Sequence, residues 1–109
     1  MTVRFGRYLR HKFNAVPVTD NEAGMFDSKK EYAYFQQLKM RQKPGGDILF
    51  FLRQVPIALP GKTKYVCDFL EFHNDGSVHF VDAKGMKTDM YNLKKRQVEE
   101  IYPFCIEEV

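Results

Sequence analysis

Asp68, Asp82 and Lys84 are the residues of this 109-residue chain whose types and spacing could do chemistry together. Residues 65–72 and 77–83 read as two strands joined by Asn74-Asp75-Gly76. A three-residue loop closed by a glycine in the left-handed conformation is a common hairpin connection. In that register His73 faces Ser77. One side of the hairpin then sets Phe72 against Val78, Leu70 against Phe80, Asp68 against Asp82 and Val66 against Lys84. The other side sets Glu71 against His79, Phe69 against Val81 and Cys67 against Ala83.

Directly opposed residues of an antiparallel pair have Cβ atoms about 5 Å apart, so two facing carboxylates repel. Burial at the end of an apolar stripe sharpens that conflict, and a proton or a hard divalent cation between them removes it. Lys84 lies two residues beyond Asp82 and projects from the same side of the strand. An ammonium there can orient or deprotonate a water, or stabilise negative charge building on a phosphate. A metal would add Lewis acidity and lower the pKa of its water. Two plainer arrangements fit the same residues. Solvated strand-end aspartates can form an ordinary salt bridge with Lys84, and a two-residue Asp75-Gly76 loop would set the aspartates diagonally.

Elements must position this hairpin. Residues 1–25 read as an irregular basic arm, with Pro17 and Thr19-Asp20-Asn21-Glu22-Ala23-Gly24 as loop. A helix is expected from Asp27 or Ser28 to about Arg41, where Tyr32, Phe35 and Leu38 recur at helical spacing and Pro44-Gly45-Gly46 stops it. Ile48 to Leu59 reads as a strand, bent or at a sheet edge because of Pro56, with Pro60-Gly61 as the next turn. After the hairpin a second helix is expected from Thr88 to Tyr102, using Met90, Leu93, Val98 and Ile101, and ended by Pro103. Phe104-Cys105-Ile106 completes the pattern as a short strand. The expected fold class is α/β, with helix, three strands, helix and strand around a mixed sheet.

The chain at this point resembles a known group. Asp68-Phe69, a glycine-bearing turn and Val81-Asp82-Ala83-Lys84-Gly85 resemble the signature of the PD-(D/E)XK nuclease superfamily, whose αβββαβ core has the same element order. Gly24-Met25-Phe26-Asp27-Ser28-Lys29-Lys30-Glu31 and Gln54-Val55-Pro56 extend the likeness. They resemble a small phage and prophage family, known only as a domain of unknown function, that is similar to Holliday-junction resolvases. The likeness covers about residues 24 to 109. One departure is Asp82, where Glu is the more frequent acid.

The resemblance leaves the basic arm at 1–25 outside it and implies a nuclease domain at 26–109, hydrolysing DNA phosphodiester bonds with Mg²⁺ or Mn²⁺. Asp68 and Asp82 would hold the metal, helped by Glu31 and the Ala83 carbonyl, and Lys84 would position the attacking water. Gln54 would be a polar group near metal or water, or an ordinary strand residue. Glu31 has a competing duty, because Ser28-x-x-Glu31 is a capping box. Branched DNA is the expected substrate, in phage recombination or DNA processing, and cutting two strands of a junction calls for a homodimer. The alternative is a nucleic-acid-binding module with the fold and no activity.

Phosphate contacts are expected from Arg4, Arg7, Arg10 and Lys12, a stretch without acids interleaved with Phe5, Tyr8 and Phe13. Lys87, Lys94, Lys95 and Arg96 could add to them from the second helix, though charge runs on helices are commonly solvated. His73 and His79 fall on the side away from Asp68 and read as structural, and Glu107 and Glu108 as solubilising. The net charge of +3 is only mildly basic, whereas 44% hydrophobic and 15% aromatic residues predict a single folded core. Cys67 and Cys105 lack metal-ligand spacing and read as reduced core residues of a cytoplasmic protein (host cytoplasm if phage-encoded). No apolar run reaches the roughly 20 residues that span a membrane, so no membrane partner is expected.

Overall fold

The computed structural model describes residues 17–20 and 23–109, which leaves Arg4, Arg7, Arg10 and Lys12 outside the described residues. The first described feature is a hairpin of strands β1 (Val18–Asp20) and β2 (Gly24–Phe26), with Val18 opposite Phe26. This segment was expected to be loop. Three-residue strands carry almost no periodic signal, and this pair is secured from elsewhere. Arg53 donates to the carbonyls of Ala23 and Met25 at 2.9 and 3.1 Å, and Gly24 supplies the positive φ of 87°.

Helix α1 (Lys29–Arg41) starts where Ser28 Oγ accepts the Glu31 N–H at 3.1 Å. Leu38 is its fully buried apolar residue, beside half-buried Tyr34 and Phe35. The helix stops at Gln42, and Gly46 then passes so close to the Arg41 carbonyl that a Cβ would lie 1.9 Å from its oxygen.

Strand β3 (Ile48–Leu59) lies at the edge of the main sheet, which tolerates Pro56 as expected. Strand β4 (Thr63–His73) follows the Pro60-Gly61 turn and pairs antiparallel with β3, Arg53 opposite Phe69 and Ile57 opposite Tyr65. Strand β5 (Val78–Asp82) pairs with β4 in the register expected from the loop: Phe72 with Val78, Leu70 with Phe80, Glu71 with His79 and Phe69 with Val81. The loop closes through His73 N–H to the Ser77 carbonyl at 2.9 Å, and Gly76 takes φ 87°.

Helix α2 (Asp89–Ile101) is capped by Thr88, whose hydroxyl accepts the Tyr91 N–H. Strand β6 (Ile106–Glu108) runs parallel to β5. It lies two residues later than expected because Phe104 stacks on Phe80, ring centroids 3.9 Å apart, before the pairing starts. The sheet order is β3-β4-β5-β6, a mixed sheet within an αβββαβ order.

Two apolar clusters hold these elements. Leu38, Ile48, Phe69, Val81 and Ala83 join α1 to the sheet, while Ile57, Leu59, Tyr65, Cys67, Val98 and Ile106 join α2 to it. Cys67 and Phe69 belong to different clusters, and Asp68 stands between them in the chain. Two expectations about the core are corrected. Met90, Leu93 and Ile101 are exposed, because α2 turns Tyr91 and Val98 inward instead. Cys67 is buried but Cys105 is exposed, just before β6 begins; both are free thiols. No helix among the described residues is long and apolar enough to cross a membrane.

Candidate active site

The register that pairs Phe69 with Val81 brings Asp68 and Asp82 to the next level of the hairpin, and there the ladder changes character. Asp68 N–H donates to Asp82 Oδ1 at 2.8 Å, and Ala83 N–H donates to Asp68 Oδ2 at 3.0 Å. Side-chain carboxylates thus take the place of backbone carbonyls as acceptors. Both aspartates are fully buried. On the outer side of β5, the Asp82 carbonyl accepts the Val109 N–H at 3.0 Å, so neighbouring backbone holds this residue on both flanks.

Lys84 reaches the pair from the same strand end. Its Nζ lies 3.2 Å from Asp68 Oδ1 and 3.7 Å from Asp82 Oδ1, with the side chain only 10% exposed. Tyr91 of α2 lies alongside, its ring centroid 5.7 Å from Lys84 Nζ and its hydroxyl donating to Glu108 Oε2. Burial, then the charge of Asp82 and the bond to Glu108, push the Tyr91 phenol well above its ordinary value.

Glu31 and Gln54 supply the third side. Gln54 Nε2 donates to Glu31 Oε2 at 2.8 Å and to Asp68 Oδ1 at 3.3 Å. Gln54 holds a φ of 53°, a left-handed conformation that costs a residue with a Cβ about 1–2 kcal/mol. That backbone accompanies the placement of its amide between two carboxylates. Glu31 uses its two oxygens separately. Oε1 accepts the Asp27 N–H at 3.2 Å near the helix start, and Oε2 meets Gln54 and lies 3.6 Å from Arg53. Arg53 in turn lies 3.6 Å over the Phe26 ring, which ties the β1–β2 hairpin to the site.

The expected site residues Glu31, Gln54, Asp68, Asp82 and Lys84 therefore come together. The expected ligand set is narrower than the sequence implied. Among the described residues no group of three or more His, Cys, Asp or Glu side chains converges to hold a metal ion. Glu31 meets Asp68 through the Gln54 amide. Asp68 and Asp82, with the Ala83 carbonyl, fit a hard oxygen-seeking cation such as Mg²⁺, which commonly binds through one or two carboxylates and keeps several waters. The Lys84 ammonium near both carboxylates shows that they already attract positive charge.

The peripheral lysines are placed variously. Lys30 Nζ donates to the Lys84 carbonyl at 3.3 Å from the exposed first turn of α1. Lys87 pairs with Glu108 at 3.2 Å, Lys94 donates to the Lys64 carbonyl at 3.1 Å and Lys95 pairs with Glu99 at 3.3 Å. Arg96 is exposed. Glu107 and Glu108 are more than solubilising, since Glu107 meets His79 and Glu108 meets Tyr91 and Lys87. His73 pairs with the buried Glu71, in line with a structural part.

Sequence reading missed Tyr91 and Arg53. A signal for Tyr91 was present: a helix that follows a sheet strand begins at that strand's carboxyl end, so its first turn faces what the strand end carries. Arg53 gave none, because its partners Phe26 and Glu31 are distant in sequence.

A family model matches residues 10–105, which is most of the chain. The chain belongs to the family described as Protein of unknown function (DUF1064). Its match takes in the hairpin β1–β2 together with the Asp68, Asp82 and Lys84 site. No curated protein and no solved structure matches the chain.

Proposed function

We propose that this chain is a divalent-metal-dependent endonuclease that hydrolyses DNA phosphodiester bonds. The observation that carries the reading is the buried pair Asp68 and Asp82 on neighbouring strands, with the Lys84 ammonium against both. Its likeness to the PD-(D/E)XK signature supports it, and so does the element order that presents the pair.

Asp68, Asp82 and the Ala83 carbonyl would hold Mg²⁺ or Mn²⁺. When bound, the ion supplies Lewis acidity toward a phosphate oxygen. Lys84 orients the attacking water and stabilises the negative charge that builds on phosphorus. Gln54 fixes the carboxylates of Glu31 and Asp68 relative to each other and offers its amide to the same water. Water oxygen bonds to phosphorus, the P–O3′ bond breaks, and the products are a 5′-phosphate and a 3′-hydroxyl. The exposed ammonium of Lys30, one residue contact away from Lys84, adds positive charge at the mouth and favours a polyanion. Branched DNA in phage recombination or DNA processing is the substrate class that the likeness favours, with two copies acting on one junction in the host cytoplasm.

The test is cleavage of linear duplex, single-stranded and four-way-junction DNA with Mg²⁺, Mn²⁺ or EDTA, by wild type and Lys84→Ala. Metal-dependent cutting lost in the variant supports the nuclease, and preference for the junction supports branched DNA. Binding without any cutting overturns the catalytic roles and leaves a nucleic-acid-binding module.

A further inference from the structure

A lysine carries a compact charge on a flexible four-carbon stem, so holding its ammonium in one place takes more than an attractive partner. Lys84 Nζ has two carboxylates within reach, Asp68 Oδ1 at 3.2 Å and Asp82 Oδ1 at 3.7 Å. Attraction to both does not by itself select one position. The Tyr91 ring adds a wall. Its centroid stands 5.7 Å from Nζ, inside the ~6 Å over which an aromatic face attracts an ammonium.

That ring is itself held from several sides. The Tyr91 N–H donates to Thr88 Oγ1 at 3.0 Å, which fixes the first turn of α2. Buried Tyr65 of β4 lies beside it, ring centroids 6.1 Å apart. The Tyr91 hydroxyl donates to Glu108 Oε2 at 2.8 Å, and Glu108 Oε1 meets Lys87 Nζ at 3.2 Å. Glu108 belongs to β6, where it is the register partner of Asp82, and the N–H of Val109 donates to the Asp82 carbonyl at 3.0 Å. One short strand thus touches both the backbone of a proposed metal ligand and the ring beside the lysine.

We infer that Tyr91 and Glu108 are positioning residues for Lys84: the Glu108 carboxylate aims the Tyr91 ring, and the ring confines the ammonium against Asp68 and Asp82. Lys87 completes the arrangement by holding the other oxygen of Glu108. The Tyr91 hydroxyl gives its proton to Glu108, so it has none to offer the site, and its part is played through Lys84. The effect on cleavage rests on the nuclease reading, whereas the confinement of Lys84 does not.

The experiment follows the motion of Lys84 and the kinetics of DNA cleavage in the same samples of the full chain. The variants are Tyr91→Phe, Tyr91→Leu, Glu108→Ala, Glu108→Gln, and Tyr91→Phe combined with Glu108→Ala. Motion is read as the NMR order parameter of the Lys84 Cε–Nζ bond, with exposed Lys43 as the free reference. Wild-type Lys84 is expected well above Lys43, and Tyr91→Leu and Glu108→Ala should move it toward Lys43. Tyr91→Phe and Glu108→Ala should each lower kcat about tenfold at unchanged KM, as loss of one hydrogen bond to a charged group does. The double variant should fall no further, because both changes remove the same bond. Glu108→Gln should recover most of the rate, since its amide oxygen still accepts the Tyr91 hydroxyl. Tyr91→Leu removes the wall and should cost about 30-fold. Glu108 is exposed, so its variants fold even if Tyr91→Leu does not.

Unchanged Lys84 order in Tyr91→Leu and Glu108→Ala overturns the positioning role, whether or not DNA is cut. A raised KM at unchanged kcat overturns it too and makes Tyr91 a DNA contact. Additive losses in the double variant break the link between Tyr91 and Glu108. A wild type that never cuts, while its Lys84 loosens in the variants, refutes the nuclease alone.

Discussion

Two clusters of buried carboxylates lie a few residues apart on β4, and they are built on opposite terms. Glu71, 1% exposed, sits where the ladder is intact, opposite His79. Its two oxygens take the Tyr34 hydroxyl and His73 Nε2, groups that meet a carboxylate without bending any strand. At Asp68 and Asp82 the carboxylates themselves occupy the ladder, a lysine reaches in between them, and Gln54 stands in a left-handed conformation nearby. The first arrangement closes a core. The second gives up regular pairing to hold two carboxylates together beside the Lys84 ammonium, and the proposed metal-dependent cleavage rests on that arrangement.

The largest effect that would sharpen this contrast is on turnover. Asp82→Asn and Lys84→Ala should each lower cleavage by about 100-fold or more, as loss of one charge-stabilising group does in other sites. In the same variants, a thermal melt with and without Mn²⁺ should show the metal-dependent gain shrinking or vanishing for Asp82→Asn. Equal metal gains in wild type and Asp82→Asn would place the ion elsewhere.

Glu71→Ala should act the other way round. It leaves the Tyr34 hydroxyl and His73 without their shared acceptor and should cost about 2–3 kcal/mol of stability in urea unfolding. Cleavage per folded molecule should hardly change. A variant that stays stable but loses cutting would erase the distinction between the two clusters.

A smaller effect is expected at Gln54. Gln54→Gly relieves the left-handed strain, which offsets the lost hydrogen bonds, so stability should stay within about 1 kcal/mol of wild type. Cleavage should still fall about tenfold, since Glu31 and Asp68 lose the amide that links them and water loses a contact. Unchanged cleavage would reduce Gln54 to a strand residue.

The smallest effect lies in acid. The Arg41 guanidinium holds Asp47 down to about 2, below the ordinary carboxylate value of about 3.9. A carboxylate depressed in the folded state contributes stability that is present above the unfolded value and lost as pH falls toward the folded one. Asp47→Asn should therefore flatten part of the loss of stability between about pH 4 and pH 2. A remainder should persist, because Asp75 and Glu108 are depressed as well, by Ser77 and by Tyr91.

Much of this was legible in the chain. The hairpin register followed from one loop, because Gly76 fixes where the turn ends and alternation then fixes every partner to Val81. The bounds of β3 were legible because a β-rich run lies between two turn signals. Along α2 the alphabet misled: Met90, Leu93 and Ile101 recur at helical spacing, but so do Tyr91, Val98 and Tyr102. Only the position of β3 and β4 decides which stripe faces inward. Glu107 and Glu108 looked like a solubilising pair because nothing local announces that β6 will run beside β5 and carry them to His79 and Tyr91. The site itself was legible as a set of residues. That Gln54 would stand between Glu31 and Asp68 was not, since it depends on a backbone conformation that glutamine does not advertise.

The exchange of carbonyls for carboxylates at Asp68 and Ala83 has a spectroscopic consequence. An amide proton shared with a carboxylate is strongly deshielded, and its resonance follows the charge on that carboxylate. In a ¹⁵N-labelled sample these two backbone signals should stand downfield and move together when the side chains gain a proton or a cation. The chain thus carries two native probes of its carboxylate pair in the main chain, where no side chain has to be altered.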